Sequence, residues 1–218
     1  PEDNAELQEA FASVSALNAR AIKVPAELAD PDAIAAMFDT IYKRLGGLDA
    51  LVNNAATQNG SPVLDLTAAD WDRIMAVNLR APFLCAQHTA RGMVARGEGG
   101  SIVNISSVHA HDPRRDYAHY STSKGGLEQL TRCLALELGE FGIRANSIVV
   151  GAVATELTPL DRQEAFGTAI PMGRVGWVDE IARMAAFMCS DACVYQTGSS
   201  VTVDGGLTLG FCASRRDL

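Results

Sequence analysis

Positive charge is scarce in this chain. Its 18 Lys and Arg stand against 26 Asp and Glu, a formal net charge of −8, which argues against nucleic acid or an anionic membrane surface as its partner. Long hydrophobic runs are missing too. Although 48% of residues are apolar, no stretch approaches the roughly 20 residues of a membrane span. The five cysteines, Cys85, Cys133, Cys189, Cys193 and Cys212, are too sparse for a disulfide framework. Cys189 and Cys193 are four apart without further Cys or His at ligand spacing, so no metal is expected. Cys85, Cys133 and Cys189 fall in apolar helical stretches, where a free thiol acts as a small hydrophobe. All five are read as reduced and structural, which implies a cytoplasmic setting. Repeats, linkers and low-complexity tracts are lacking, so residues 1–218 are read as one domain, long enough for a real core.

What the chain does have is alternation of apolar strands with amphipathic helices, the signature of an α/β fold with a parallel sheet. Residues 4–18 form a helix with Leu7, Phe11, Val14 and Leu17 as its apolar stripe, and a short strand is expected at 21–26. Asp30 caps the next helix, Pro31 opens it, and Ile34, Met37, Phe38, Ile41 and Leu45 face the core until Gly46 and Gly47 end it. A strand at 48–52 runs into Asn53, Asn54, Ala55 and Ala56. Thr67 opens a long helix whose buried face reads Trp71, Ile74, Met75, Asn78 and Leu79. Pro82 has no N–H for the carbonyl of Asn78, so a kink is expected there. Further strands are expected at 101–106, 143–150 and 200–203.

Chemistry concentrates in residues 101–126, SIVNISSVHAHDPRRDYAHYSTSKGG. Ser107 closes a strand. Tyr120 and Lys124 lie four apart on the following helix and therefore share a face. An ammonium beside a phenol is expected to lower its pKa, and a nearby hydroxyl orients a substrate oxygen. These are the parts of a proton-transfer site for an alcohol or carbonyl. The loop 107–117 is rich in titratable groups, and part of it borders the substrate side. Its Arg114 and Arg115 are read as a solvated corner or subunit contact ahead of a seat for an anionic substrate group.

Ser107, thirteen residues before Tyr120 in a Tyr-x-x-x-Lys motif, resembles the short-chain dehydrogenase/reductase family. The resemblance spans about residues 4–210. Asn53, Asn54, Ala55 and Ala56 are similar to its N-N-A-G segment, with Ala56 in place of Gly, though a plain Asn-rich turn fits them as well. Val77, Asn78 and Leu79 match its V-N-L. There the Asn carbonyl holds a water beside the Lys, the other reading being a core Asn satisfied through its side chain. Residues 151–155, GAVAT, are similar to P-G-x-V-x-T with Val150 for the Pro, and 156–170 match the substrate lid in shortened form. Val203, Asp204, Gly205 and Gly206 resemble the C-terminal signature.

The resemblance implies a Rossmann-type doubly wound parallel sheet and an NAD(P)-dependent oxidoreductase interconverting a secondary alcohol and a ketone. Tyr120 would be the acid/base, with Lys124, Ser107 and Asn78 as its companions. It implies Glu27, Leu28, Asn53, Ala55, Tyr120, Lys124, Gly151, Val153 and Thr155 as contacts of NAD or NADP, and a homotetramer. Glu27 stands where the family usually has Asp. A polyol or sugar-like alcohol is the first choice of substrate, because the pocket loops are polar. A 3-oxoacyl thioester (acyl-carrier-protein) is the rival, and a non-catalytic interaction protein is the alternative from another class. The family's opening strand, its T-G-x-x-x-G-I-G turn for the pyrophosphate and its second strand have no counterpart in the sequence. Strands 1 and 2 of a sheet ordered 3-2-1-4-5-6 are thus absent, and with a chain that begins at Pro1 rather than Met, a longer natural polypeptide is expected.

Overall fold

The computed structural model describes residues 5–17, 20–155 and 167–209. Its centre is a four-stranded sheet in the order β1 (Ala50–Asn53), β2 (Gly100–Ser107), β3 (Ile143–Val150) and, numbered last in the chain, β6 (Ser200–Val203), every neighbouring pair parallel. β2 and β3 are buried along almost their whole length, as parallel strands covered on both faces must be. A separate two-stranded ribbon joins β4 (Val153–Ala154) to β5 (Gly176–Trp177).

Helices cover both faces. On one side α4 (Ala81–Arg96) and α5 (Ala118–Leu138) bury Ala86, Ala90, Met93 and Ala135 against Ile102, Ile143 and Ala145 of the sheet. On the other, α6 (Val178–Cys189) sets Ala185 and Met188 on Val103 and Ile148. α2 (Pro31–Leu45) lies outside α4, with Ile34 and Phe38 packed on Ala81 and Cys85. Its ends follow the expected chemistry. The Asp30 side chain accepts from the N–H of Asp32, Pro31 stands in the first turn, and Gly46 closes the helix at φ +87°. Gly92 lets the two helices meet, since a Cβ there would sit 2.4 Å from the Tyr42 hydroxyl.

Three expectations fail. Residues 21–26 are not a strand: among the described residues no neighbour pairs with them, and a lone extended segment has no ladder to join. The stripe expected along α1 (Ala5–Ala16) is exposed at Val14 and, just past the helix, at Leu17, while Phe11 is half-buried; the Leu7 side chain lies outside the described residues. Trp71, assigned to the buried face of α3 (Ala68–Met75), is exposed, while Ile74 is fully buried.

The helix containing Pro82 does not break. A π turn, Ala76–Arg80, joins α3 to α4, and the N–H of Ala81 donates to the carbonyl of Ala76, five residues back. This wider turn accommodates the proline, which has no N–H to offer Asn78. Of the two glycines after Lys124, Gly126 permits the close approach: a Cβ there would meet Leu79 Cδ2 at 2.9 Å. At Gly125 the nearest atom, at 3.7 Å, is an ordinary contact.

Candidate active site

Open α/β sheets bind ligands beyond the carboxyl ends of their strands, and the expected residues gather there. β2 ends at Ser107, whose Oγ accepts from the N–H of His109 (3.2 Å) and so caps a 3-10 turn, Val108–Ala110. α5 returns across that end and brings Tyr120 and Lys124 to it on one face. Lys124 is 3% exposed. Its Nζ donates to the Ile105 carbonyl of β2 at 2.7 Å and stands 5.8 Å from the Tyr120 ring centre.

Burial dominates both groups. It lowers the Lys124 pKa to about 8 and raises that of the Tyr120 phenol, against which the Ser107 hydroxyl acts by hydrogen bonding. The acidification expected from Lys124 is therefore not what the protein alone provides. The opposing influence on the phenol is the Ser107 hydroxyl, while the ammonium is itself desolvated and bound to a carbonyl.

Asn78, fully buried in the π turn, clamps the backbone of Thr57. Its Oδ1 accepts from the Thr57 N–H at 2.8 Å, and its Nδ2 donates to the Thr57 carbonyl at 2.9 Å and to Ser123 Oγ at 3.2 Å. The side-chain reading of this residue is met in full, while Pro82 leaves its carbonyl without the usual helical donor. Ser123 Oγ in turn donates to the Tyr120 carbonyl at 2.7 Å.

The residues expected at a nucleotide lie on several elements. Asn53 binds β1 to β2, its Nδ2 donating to Asn104 Oδ1 at 2.8 Å. Ala55 is exposed just beyond. Glu27 accepts from the N–H of Ala29 at 3.1 Å, and Leu28 packs on the α2–α4 core. Gly151 is required by a close approach, since a Cβ there would lie 2.6 Å from Asp204 Cβ. Val153 and Thr155 line a cleft of about 680 Å³ with Val52, Asn54, Ile105 and Val150. The expected lid, 156–170, lies largely outside the described residues.

Sequence reasoning missed several side chains of this wall. Glu128, 1% exposed, accepts from Ser106 Oγ (3.0 Å) and pairs with His111 (3.0 Å), tying the loop after β2 to α5. Asn104 continues inward to Thr131 Oγ1 (2.8 Å). Tyr117 meets the Tyr120 ring edge-on, at 6.3 Å between centres; its place three residues before Tyr120 was the available signal.

A family model described as enoyl-(acyl carrier protein) reductase matches residues 2–208. Glucose 1-dehydrogenase 2 of Bacillus subtilis is 37% identical over 196 residues, 87% of this chain and 76% of that protein. Among solved structures, acetoin dehydrogenase from Enterobacter cloacae has a TM-score of 0.90 at 38% identity, covering 98% of this chain and 85% of that one. A gluconate 5-dehydrogenase from Burkholderia cenocepacia, in complex with NADP and tartrate, has a TM-score of 0.87 at 32% identity, covering 96% and 84%. With the sheet, the Ser107–Tyr120–Lys124 wall and these likenesses together, the chain belongs to the short-chain dehydrogenase/reductase family, NAD(P)-dependent oxidoreductases that interconvert an alcohol and a carbonyl by hydride transfer.

Proposed function

We propose that Tyr120 is the acid/base of this oxidoreductase and that Ser107, Lys124 and Asn78 are its companions. The observation that carries the reading is one wall beyond the strand ends, on which the Lys124 ammonium stands 5.8 Å from the Tyr120 ring centre and the Ser107 hydroxyl opposes the burial of the phenol. In oxidation the Tyr120 oxygen, as phenolate, takes the hydroxyl proton of the substrate alcohol. Ser107 donates to the substrate oxygen and holds it at the phenol. Lys124 commits one of its three N–H donors to Ile105, so two remain for ribose hydroxyls. Reduction reverses these steps, with the phenol as donor. Asn78 fixes the π turn against Thr57 and Ser123, and its carbonyl, to which Pro82 can offer no N–H, suits a water leading toward Lys124.

The donor set and the cleft fit the nicotinamide and ribose end of NAD(P). Lys124, Gly151, Val153 and Thr155 would hold that end, Asn53 and Ala55 the adenosine ribose, and Glu27 and Leu28 the adenine. The bound nucleotide supplies or accepts the hydride. A small polyol or sugar-like alcohol is the substrate class favoured, supported by relatives named for glucose and acetoin. A homotetramer is supported by a groove in which Met75, Leu79, exposed Phe83 and Leu130 lie beside Asp72, Arg73 and Arg80; single-domain organisation and a cytoplasmic setting complete the reading.

The test is the change in nicotinamide absorbance when the full-length protein meets NAD or NADP with sugars, 2,3-butanediol and, in reverse, acetoin or a 3-oxoacyl thioester. Turnover of the small alcohols is expected. Turnover of the thioester alone would replace the substrate class, and no turnover of any would overturn the roles assigned to Tyr120, Ser107 and Lys124.

A further inference from the structure

Two rings flank Tyr120, and the proton chemistry uses neither. Tyr117 stands edge-on to it (6.3 Å, 87°), and the His109 ring meets it at 6.4 Å and 72°. His109 Nδ1 lies 3.0 Å from the Asp112 carbonyl, so that nitrogen carries the proton and Nε2 is left as an acceptor. Above Tyr117 lies Arg114, its guanidinium carbon 4.4 Å from the ring centre.

Tyr117 is held from several sides. Asp116 turns the chain at φ +66°, the one non-glycine residue with positive φ among those described. Its carbonyl accepts from the N–H of Ser61 at 2.8 Å. Gly60 passes so close that a Cβ would stand 3.4 Å from Tyr117. Asn59 pairs with the buried His119 (2.9 Å) and donates to Asp70 (3.3 Å). Two loops are thus stitched together around one ring, and that ring fixes where the cation sits.

Arg114 forms no ion pair among the described residues, although Asp112 and Asp116 flank it in a chain of net charge −8. A guanidinium laid on a ring keeps its edge N–H groups free, in the fork that grips a carboxylate with two bonds. The ring holds the exposed guanidinium in one place, beside the residue that meets Tyr120. The guanidinium is no farther from the Tyr120 ring centre than the Arg114–Tyr117 and Tyr117–Tyr120 spacings laid end to end.

We propose that Arg114 seats a carboxylate of the substrate, so that the enzyme acts on a polyhydroxy carboxylate whose reacting carbon lies several bonds from its charged end. The His109 acceptor suits an intervening hydroxyl. This rests on Tyr120 as the acid/base, and it promotes Arg114 from the solvated corner expected of it.

The test titrates gluconate and tartrate, with uncharged glucitol and threitol beside them, into the NADP-saturated full-length protein by ligand-observed NMR. Wild type, Arg114→Gln, Arg114→Lys and Arg115→Gln are compared. Arg114→Gln is expected to weaken binding of the acids about tenfold, the size of one lost charged hydrogen bond, and to leave the neutral polyols unchanged. Arg114→Lys should fall between, and Arg115→Gln should match wild type. Equal affinity of wild type and Arg114→Gln for the acids, or no acid binding at all, overturns the proposal. Oxidation of 2,3-butanediol by the same samples keeps the two readings apart. Turnover without acid binding refutes the carboxylate seat alone, and Arg114-dependent acid binding without turnover of any alcohol refutes the Tyr120 chemistry alone.

Discussion

Lys124 is a cation held almost out of water by the helix that also carries Tyr120, and its one carbonyl partner does not offset that burial. With a folded pKa of about 8 against an ordinary 10.5, the unfolded chain binds more protons between those values. Stability should therefore rise with pH from about 8 to about 10.5, by up to on the order of 3 kcal/mol from this group. Lys124→Met should accordingly be the more stable protein at pH 7, by about 2 kcal/mol once the lost Ile105 hydrogen bond is subtracted. Urea unfolding at pH 7 and pH 10.5 checks this, the advantage disappearing at the higher pH. Ser107→Ala should lower kcat about 100-fold and shift the alkaline limb of oxidation upward, because the Ser107 bond is what opposes burial at the phenol. That Tyr120 and Lys124 come together was legible because helical periodicity fixes which side chains share a face, and Ser107 was read from its place at a strand end and its spacing to Tyr120. Glu128 was not, because its partners His111 and Ser106 come from the loop and strand before α5 and no periodicity spans that gap; for Tyr117 the spacing to Tyr120 was readable, but its contact with Arg114 was not.

At the scale of elements, the π turn is the feature that sequence reasoning half reached. Pro82 announced a disturbed helix, but a kink and a widened turn both answer a missing N–H, and the choice was made by the Asn78 amide reaching Thr57 and Ser123. Asn78→Ala would remove the side-chain partners of both backbone groups of Thr57, costing about 2–4 kcal/mol. A melting temperature lower by roughly 4–10 °C is the expected reading in calorimetry. The strand expected at 21–26 failed for the opposite reason. Its composition suited a strand, but a strand exists only in a sheet, and composition carries no information on whether a neighbour is there.

Across the whole molecule, the parallel pairing of β1, β2, β3 and β6 follows from alternation, though their order does not. Parallel neighbours need helical crossovers, and apolar runs such as 101–106 mark strands covered on both faces. The outer surfaces were less readable. Phe83 of α4 is 40% exposed, beside Leu79 and Leu130. If that groove is a subunit contact, Phe83→Glu should reduce the mass measured by light scattering from a tetramer to a smaller species, whereas an unchanged mass would remove the groove from the assembly. The family and its general chemistry were legible from the Ser, Tyr and Lys spacing together with the motifs at 53–56, 77–79, 151–155 and 203–206, but the substrate depends on how loops 57–66 and 107–117 fold together, and that is a property of the assembled chain.

The proposed mechanism turns on a single phenol that exchanges the substrate proton. Alcohol oxidation by full-length wild type and Tyr120→Phe across pH 6–10, with cofactor binding checked by fluorescence, isolates that step. The wild-type rate should climb with pH as the phenol ionises, and the variant should bind cofactor normally but run about 1000-fold slower without that climb. A variant with wild-type turnover and the same pH dependence would remove Tyr120 from the chemistry.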